Sequence, residues 1–450
     1  MSTTTVPEPS PRTVRRASVA GFLGTTVEAY DFFVFTFLIV YTSPLFFPSE
    51  NPASGVLSSL LVLGTGLLAR PVGGIFFGWL GDRKGRRFVL VLTIVGMGIA
   101  TFLMGVLPTY ESVGLLAPIL LVLVRLVQGL SAGGELMGSA TYVAEHSTRK
   151  NHGILNAMTP MGFAAGTALA PGVVALVTLL LSEETMATWG WRVPLLLSLP
   201  LTACTLYLRN RLEESPEFRK LADLNAVRRA PVRAVFTGHP VTLIKIIVIS
   251  GVVLAIGYIV SAFLPLFLQQ EVGLAPGTTA GIAAFAAALG IILGLGAGLL
   301  VDRIGRRWTM ILILALIGAA FLPVMYLMKS TGNIAIIAVG QLLLAGSAGA
   351  VSVPAYAVFT SMFPASVRYT GAAIGFGVGS ALGGGFGPYV AAQLTEITGS
   401  PYAAAGVVMA CAVIGIAVIS TMPNRGVSED DAFVKTDPAH NDKTEVSGAI

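Results

Sequence analysis

Long apolar runs separated by short polar breaks fill the chain from about position 17 to 422. A helix rising about 1.5 Å per residue needs ~20 predominantly apolar residues to cross ~30 Å of hydrocarbon. The pattern therefore predicts twelve membrane-spanning helices, at 17–41, 55–80, 88–107, 113–143, 152–181, 191–209, 241–270, 277–301, 308–328, 333–363, 369–397 and 401–422. A polar stretch divides them six and six. The expected organisation is a tail at 1–16, a six-helix bundle at 17–209, a linker at 210–240 carrying a short amphipathic helix, a second six-helix bundle at 241–422, and a disordered tail at 423–450.

Composition fits an all-α integral membrane protein: 54% of residues are hydrophobic and only 11% charged, against about a quarter charged in soluble domains. The pI near 9.2 does not call for nucleic acid. Of 28 Lys and Arg, Arg70 and Arg125 fall inside apolar runs, and Arg192 and Lys329 lie on one side. The rest sit in alternate loops, the tails or their edges, while the opposite loops carry Glu50, Glu111, Glu183, Glu184 and Glu271. This positive-inside bias predicts a multi-pass plasma (inner) membrane protein with both termini cytoplasmic. MSTTTVPEPSPRTVRR has no cleavable signal pattern, and the first run holds Glu28 and Asp31, so that run is read as a retained structural helix. Cys204 and Cys411 each fall in a span and are read as packing residues.

Charge is scarce enough that its clusters carry information. GWLGDRKGRR at Gly78–Arg87 sits between the second and third runs, and GLLVDRIGRR returns at Gly298–Arg307, 220 positions later, at the same place in the second set. The arginines could simply anchor a hairpin at the cytoplasmic face. That does not explain Asp82, one turn from Gly78, where a small residue permits close helix approach and a carboxylate can bond a neighbouring helix terminus or arginine. Glycines spaced by four (Gly74 and Gly78; Gly290, Gly294 and Gly298; Gly375, Gly379, Gly383 and Gly387) likewise allow close packing.

Glu28 and Asp31 are three apart on one helix face, ~16–21 Å into the first run. An ionised carboxylate there costs ~3 kcal/mol even on lenient insertion scales, so it must be paired, hydrated or protonated. Arg125 and Arg70 are the candidate partners, and the first reading assigns Arg125 to the proton-coupling pair and Arg70 to an anionic substrate. Glu135 is either a second relay carboxylate or the partner of a cytoplasmic-side arginine. The second half has almost no mid-membrane charge. Its polar candidates are Tyr258, Gln341, Ser352, Tyr356 and Gln393. His146, His152 and His239 fall in loops and His440 in the tail, which disfavours a histidine relay.

The two Asp-Arg strings resemble the signature loop of the major facilitator superfamily, and RLVQGLSAGG at Arg125–Gly134 resembles its fourth-helix motif. GTTVEAYDFFVF, LLARPVGGIFFG, GGE at 133–135, WGWRVPLLLS, RLEESPEF and SMFPASVRYTG are together similar to the metabolite:H⁺ symporter family, in register over nearly the whole chain. The resemblance implies two pseudo-symmetric six-helix bundles that rock around a central site, with glycine-striped spans at the contact between halves. It favours a latch over a mere anchor for the loop charges. Three positions depart from the family pattern: Ala29 and Leu136, where the family has Trp, and Ser361, where it has Glu. The last removes an acidic partner near Arg368.

Residues and resemblance together give a proton-coupling set of Glu28, Asp31, Arg125 and Glu135. The substrate set is Tyr30, Arg70, Gln128, Tyr258, Gln341 and Tyr356. The gating set is Gly78, Asp82, Arg83, Arg86, Arg87, Asp302, Arg303, Arg306, Arg307 and Arg368. The expected function is proton-coupled import of a small organic acid (mono-, di- or tricarboxylate) by alternating access, with a betaine- or proline-type osmolyte as the alternative substrate. GTALAPG at 166–172 faintly resembles an antiporter motif, which keeps export open. A nutrient sensor is disfavoured because no long signalling extension is seen. A membrane enzyme is disfavoured because no GxxxxGK[ST], Ser/His/Asp or Cys/His set can be placed. A monomer is expected, in contact with lipid, protons and substrate, with no metal and no cofactor beyond the coupling proton.

Overall fold

The computed structural model describes residues 11–48, 52–147, 152–224, 226 and 230–422. Glu50, Arg228, Arg229, His440 and the expected disordered tail lie outside them. Helices follow the twelve apolar runs. The first six are α1 (Pro11–Phe46), α2 (Pro52–Lys84), α3 (Arg86–Val106), α4 (Leu116–Glu145), α5 (His152–Leu180) and α6 (Arg192–Leu196 continued by Ser198–Asn210). The second six start with α7 (Pro240–Tyr258, a π turn at Ile259–Phe263, then Leu264–Gln270), α8 (Pro276–Ile304) and α9 (Arg306–Thr331). They end with α10 (Ile334–Phe359), α11 (Arg368–Gly379, a π turn at Ser380–Gly384, then Gly385–Thr398) and α12 (Ala403–Ser420). Among the described residues nine are single helices long and apolar enough to cross a membrane, and α6 with the turn before it, bent by 46°, makes a tenth. The glycine-diluted α2 and α11 complete the twelve.

Local chemistry sets many of the boundaries. Pro11, Pro52, Pro240 and Pro276 open their helices, where a missing N–H costs nothing and the fixed φ suits the first turn. Inside α7, Pro265 cannot donate back to the preceding turn, and the backbone relaxes into the π turn just before it. Gly85 (φ 105°) and Gly305 (φ 82°) make the equivalent sharp turns into α3 and α9, in a region that side chains rarely adopt. The segment between the halves holds two short helices, Pro216–Asp223 and Pro231–Gly238, where one was expected; Pro231 opens the second.

Backbone-to-backbone contact knits the first half together. Thr25 Oγ1 donates to Thr159 O at 2.9 Å and Thr26 Oγ1 to Gly162 O at 3.0 Å, tying α1 to α5. A Cβ on Gly133 of α4 would lie 2.7 Å from Gly74 N of α2. The glycine stripes divide their work. Gly74 and Gly78 meet Ala373 and Thr370 of the other half, and Gly298 meets Gly153 and Ile154. The α11 stripe does not lie between the halves: Gly375, Gly379, Gly383 and Gly387 pack on α7 of their own half, against Ile246, Gly251 and Ala255. The opposite face of α11, with Ala373 and Gly377, meets α2.

Candidate functional site

Charged side chains of the first half are arranged in successive levels. At the level farthest from the Arg-rich turns, Asp31 is fully buried and neither carboxylate oxygen has a hydrogen-bond partner. Ser198, whose hydroxyl donates to Gly98 O at 3.3 Å, also lies within reach of the Asp31 carboxylate. Gln128 Nε2 donates to Asp31 O and to Thr101 Oγ1, both at 2.8 Å, and Gln128 Oε1 accepts from Arg125 Nη1. The same Arg125 nitrogen donates to Phe32 O at 3.3 Å, and the guanidinium lies 4.3 Å from the Phe35 ring centroid. Arg125 and Gln128, three apart on α4, therefore grip the α1 main chain. Among the described residues Arg125 forms no ion pair with Glu28 or Asp31.

One level further in, Glu28 is fully buried and both its oxygens lack hydrogen-bond partners. Glu135, Arg70, Arg209 and Asp31 are the charges that surround it. Arg70, 3% exposed, stacks 4.4 Å over the Phe32 ring, and its Nε and Nη2 have no hydrogen-bond partner. Tyr356 of α10 feels Glu28, Arg70 and Tyr258, and its ring touches Phe359 and Phe376, each at 5.9 Å between centroids. Four helices from both halves thus bring Glu28, Arg70, Tyr258 and Tyr356 together. Three members of the expected substrate set stand apart, the first being Gln128, whose side chain is used on Asp31 O, Thr101 and Arg125. The Tyr30 hydroxyl is used on Pro194 O at 2.6 Å within the first half. Gln341 is fifteen residues from Tyr356 on α10, ~22 Å along its axis.

The third level is Glu135, which pairs with Arg209 at the end of α6. Arg209 pairs with both its oxygens, Thr93 Oγ1 donates to it at 2.5 Å, and acid and arginine are each 1% exposed on their side chains. Arg209 closes α6 in the sequence and reads there as an edge residue. The structure buries it because Gly24 of α1 leaves its guanidinium room.

The two Asp-Arg turns lie at one end of the bundle, here called the basic end, and both reach across to the other half. Asp82 Oδ2 accepts from Thr370 N at 2.9 Å, at the start of α11, where free N–H groups and the helix dipole favour an anion. Asp302 accepts from Gly153 N at 2.6 Å and Ile154 N at 3.1 Å, at the start of α5. Arg86 pairs with Asp82 at 3.2 Å and with Glu145 at 3.3 Å, and donates to Ala365 O at 2.7 Å. Arg368 pairs with Glu145 at 3.2 Å and with Glu217 of the linker helix. The acidic partners of Arg368 are therefore Glu145 and Glu217. Ser361 instead faces Arg306, which is left with Nε and Nη2 unpartnered. Arg87 donates to Asn210 O at 2.7 Å and Arg307 to Met422 O at 3.3 Å, both within their own half, while Arg83 and Arg303 are exposed.

Sequence reasoning missed several of these groups. Glu145 looks like the polar end of a span. Glu214 hides in RLEESPEF, yet its Oε1 accepts from Arg86 N at 2.9 Å and Arg87 N at 3.2 Å, capping α3. Tyr369 inserts its ring between Gly81 of α2 and Gly138 of α4, and its hydroxyl donates to Gly134 O at 2.6 Å. Small residues at 81, 134 and 138 were the available signal, visible only once their facing is known. Tyr369→Phe keeps the knob and removes its bond. It should cost the shut basic end ~1 kcal/mol, a roughly fivefold population shift. Distances between spin labels at Arg83→Cys and Arg303→Cys would read that shift; an unchanged distribution would show that the hydroxyl adds nothing.

A twelve-helix bundle with a repeated Asp-Arg turn, each turn capping a helix of the opposite half, narrows the family. A model of the Major Facilitator Superfamily matches residues 21–325 and 277–440. The shikimate transporter of Escherichia coli is 36% identical over 385 residues, covering 84% of this chain and 87% of that protein. The chain belongs to the Major Facilitator Superfamily. It is thus a multi-pass membrane transporter. The glycine betaine/proline/ectoine/pipecolic acid transporter OusA of Dickeya dadantii is 34% identical over 421 residues, covering 90% of this chain and 82% of that one. Among solved structures, the proton:xylose symporter XylE bound to 6-bromo-6-deoxy-D-glucose superposes with a TM-score of 0.73 at 15% identity, over 94% of this chain and 99% of that one. The superfamily fold accounts for the paired turns: two halves of like topology meet at the basic end through like contacts.

Proposed function

We propose that the protein is a proton-coupled symporter that imports a small organic acid across the inner membrane, with the basic end facing the cytoplasm. One observation carries the reading. Two carboxylates, Glu28 and Asp31, are fully buried, and Glu28, whose oxygens lack hydrogen-bond partners, stands near Arg70, whose Nε and Nη2 are equally unpartnered. Buried ions left in this condition are costly unless they exchange protons or bind a charged ligand. A substrate carboxylate satisfies Arg70 bidentately, and protonation satisfies the acids. The shikimate transporter lends a substrate class: a compact hydroxylated ring with one carboxylate.

A second reading has its own support. Tyr356, which feels Glu28, packs in a buried trio with Phe359 and Phe376, and aromatic faces with an acid are the chemistry that holds a quaternary ammonium. A betaine or proline would then place its carboxylate on Arg70 and its cation on that wall, as the relationship to OusA suggests.

Thermal-shift and counterflow measurements with shikimate, proline and glycine betaine separate the two. Organic-acid transport predicts stabilisation and exchange with shikimate and none with glycine betaine; the reverse result overturns the acid reading in favour of the osmolyte. Arg70→Lys should raise the apparent KM about tenfold, because an ammonium cannot reproduce the planar fork. An unchanged KM would remove Arg70 from the binding site.

A further inference from the structure

We propose that Arg209 is a shared counter-ion of Glu28 and Glu135, and that its shift between them passes a proton from the central site toward the basic end. The inference rests on the reading of Glu28 as a proton carrier. Arg209 is held by Glu135 and by Leu90 O, yet its Nε has no hydrogen-bond partner. Its guanidinium lies against α1 at Gly24, where a Cβ would overlap Nη2 and come within 2.9 Å of Cζ. Gly24 is one turn before Glu28, on the same face and ~6 Å away along the axis. Arg209 therefore sits about one helical turn from the carboxylate that lacks a partner.

Other titratable groups flank this path. Glu28 faces Glu135, Arg70, Arg209 and Asp31, with Tyr356 from α10. Glu135 and Arg209 face Tyr369 from α11. The exchange balances: Glu28 gives up its proton as the guanidinium arrives, and Glu135, losing that guanidinium, takes a proton up. One O–H bond breaks, one forms, and the net charge of the three groups is unchanged. Thr93 donates its hydroxyl to Glu135 and orients it. Glu135 stands ten residues before Glu145 on α4, ~15 Å from the latch, so the transfer moves the proton toward the basic end. Arg209 acts through the two acids and is a positioning residue. A permanent Arg209–Glu135 pair that only pins α4 to α6 is the alternative.

The test uses the full chain in proteoliposomes with an imposed pH gradient, and shikimate and glycine betaine as parallel probes. The readout is the ratio of proton-driven accumulation to counterflow. Gly24→Ala puts a methyl where the guanidinium now sits, disturbing its place between the two acids while leaving all three charges, and it should lower that ratio from about tenfold toward 1 for a one-unit gradient. Arg209→Gln should do the same, with Arg209→Lys restoring part of the ratio. Wild-type ratios in Gly24→Ala and Arg209→Gln, with a collapsed ratio in Glu28→Gln, overturn the inference and leave Glu28 as carrier. A wild-type ratio in Glu28→Gln removes the reading beneath it.

A second measurement needs no substrate. Infrared pH titration of the carboxyl bands should show Glu135→Gln moving the titration of the band that Glu28→Gln deletes. That movement should vanish when Gly24→Ala is added. A Glu28 band indifferent to Glu135→Gln, or a movement that survives Gly24→Ala, contradicts the exchange.

Discussion

Glu145→Gln is expected to open the basic end. This carboxylate is fully buried on its side chain and pairs at once with Arg86 of its own half and Arg368 of the other. Removing one partner of a buried pair costs ~3–5 kcal/mol when the remaining charge is left alone. Here Arg86 keeps Asp82 and Arg368 keeps Glu217, so ~2 kcal/mol is the better figure, a shift of roughly thirtyfold between the two ends of the transport cycle. The loss of the Arg368 contact falls on one state only, because Arg368 reaches Glu145 only while the halves meet at this end, whereas Arg86 shares a half with Glu145. Spin labels at Arg83→Cys and Arg303→Cys, in a Cys204→Ser and Cys411→Ser background, should move from a short to a long distance population. If the short population persists in Glu145→Gln, the carboxylate is not the hub of the latch. Retained helical circular dichroism would show that the fold survives.

Glu28→Gln and Asp31→Asn carry the other large effect. Each amide mimics a protonated acid of the same shape, so the protein keeps a neutral group where the cycle needs one that ionises. Proton-driven accumulation should be abolished in both, because a one-unit gradient supplies about 1.36 kcal/mol per proton only if a group binds and releases that proton. Counterflow, which needs substrate but no net proton movement, should persist. Accumulation at the wild-type level in both variants would show that neither acid couples transport to protons. The two need not respond equally: Asp31 has its main chain fixed by Gln128, while Glu28 stands among Arg70, Arg209 and Glu135.

The parts that were legible in sequence are those that depend on solvent. Twelve apolar runs became twelve helices because hydrocarbon leaves backbone groups no partners except their own helix. Glu28, Asp31, Arg70 and Arg125 stood out because charge in such runs is rare, and all four are buried in the protein rather than turned to lipid. What stayed hidden depends on facing. Gly24, Gly81 and Gly138 are unremarkable in a chain with 52 glycines until Arg209 and Tyr369 are seen against them. Arg209, one residue from a helix end, reads as a boundary charge, and only its reach back toward Glu135 makes it part of the interior. Ser361 was expected to weaken the surroundings of Arg368. It weakens those of Arg306 instead, because the two turns present their arginines to different carboxyl positions.

The latch is unequal in consequence. In the first half Asp82, Arg86 and Glu145 form a closed set of charges; in the second Arg306 has a hydroxyl where its counterpart has a carboxylate. The first half therefore holds both the acid levels and the stronger clamp, and the second supplies Tyr258, Tyr356 and the aromatic wall. The buried acids and the contact with the other half come together on α4, which carries Glu135 and Glu145.

The most direct test reverses the usual experiment and lets substrate move protons. Wild-type proteoliposomes enclosing a pH-sensitive dye, with no pH gradient imposed, would receive shikimate outside, with glycine betaine run in parallel. Coupled entry through Glu28 and Asp31 predicts lumenal acidification that tracks substrate uptake and is lost in Glu28→Gln and Asp31→Asn. Substrate entry into wild-type vesicles with no change in lumenal pH would contradict the account.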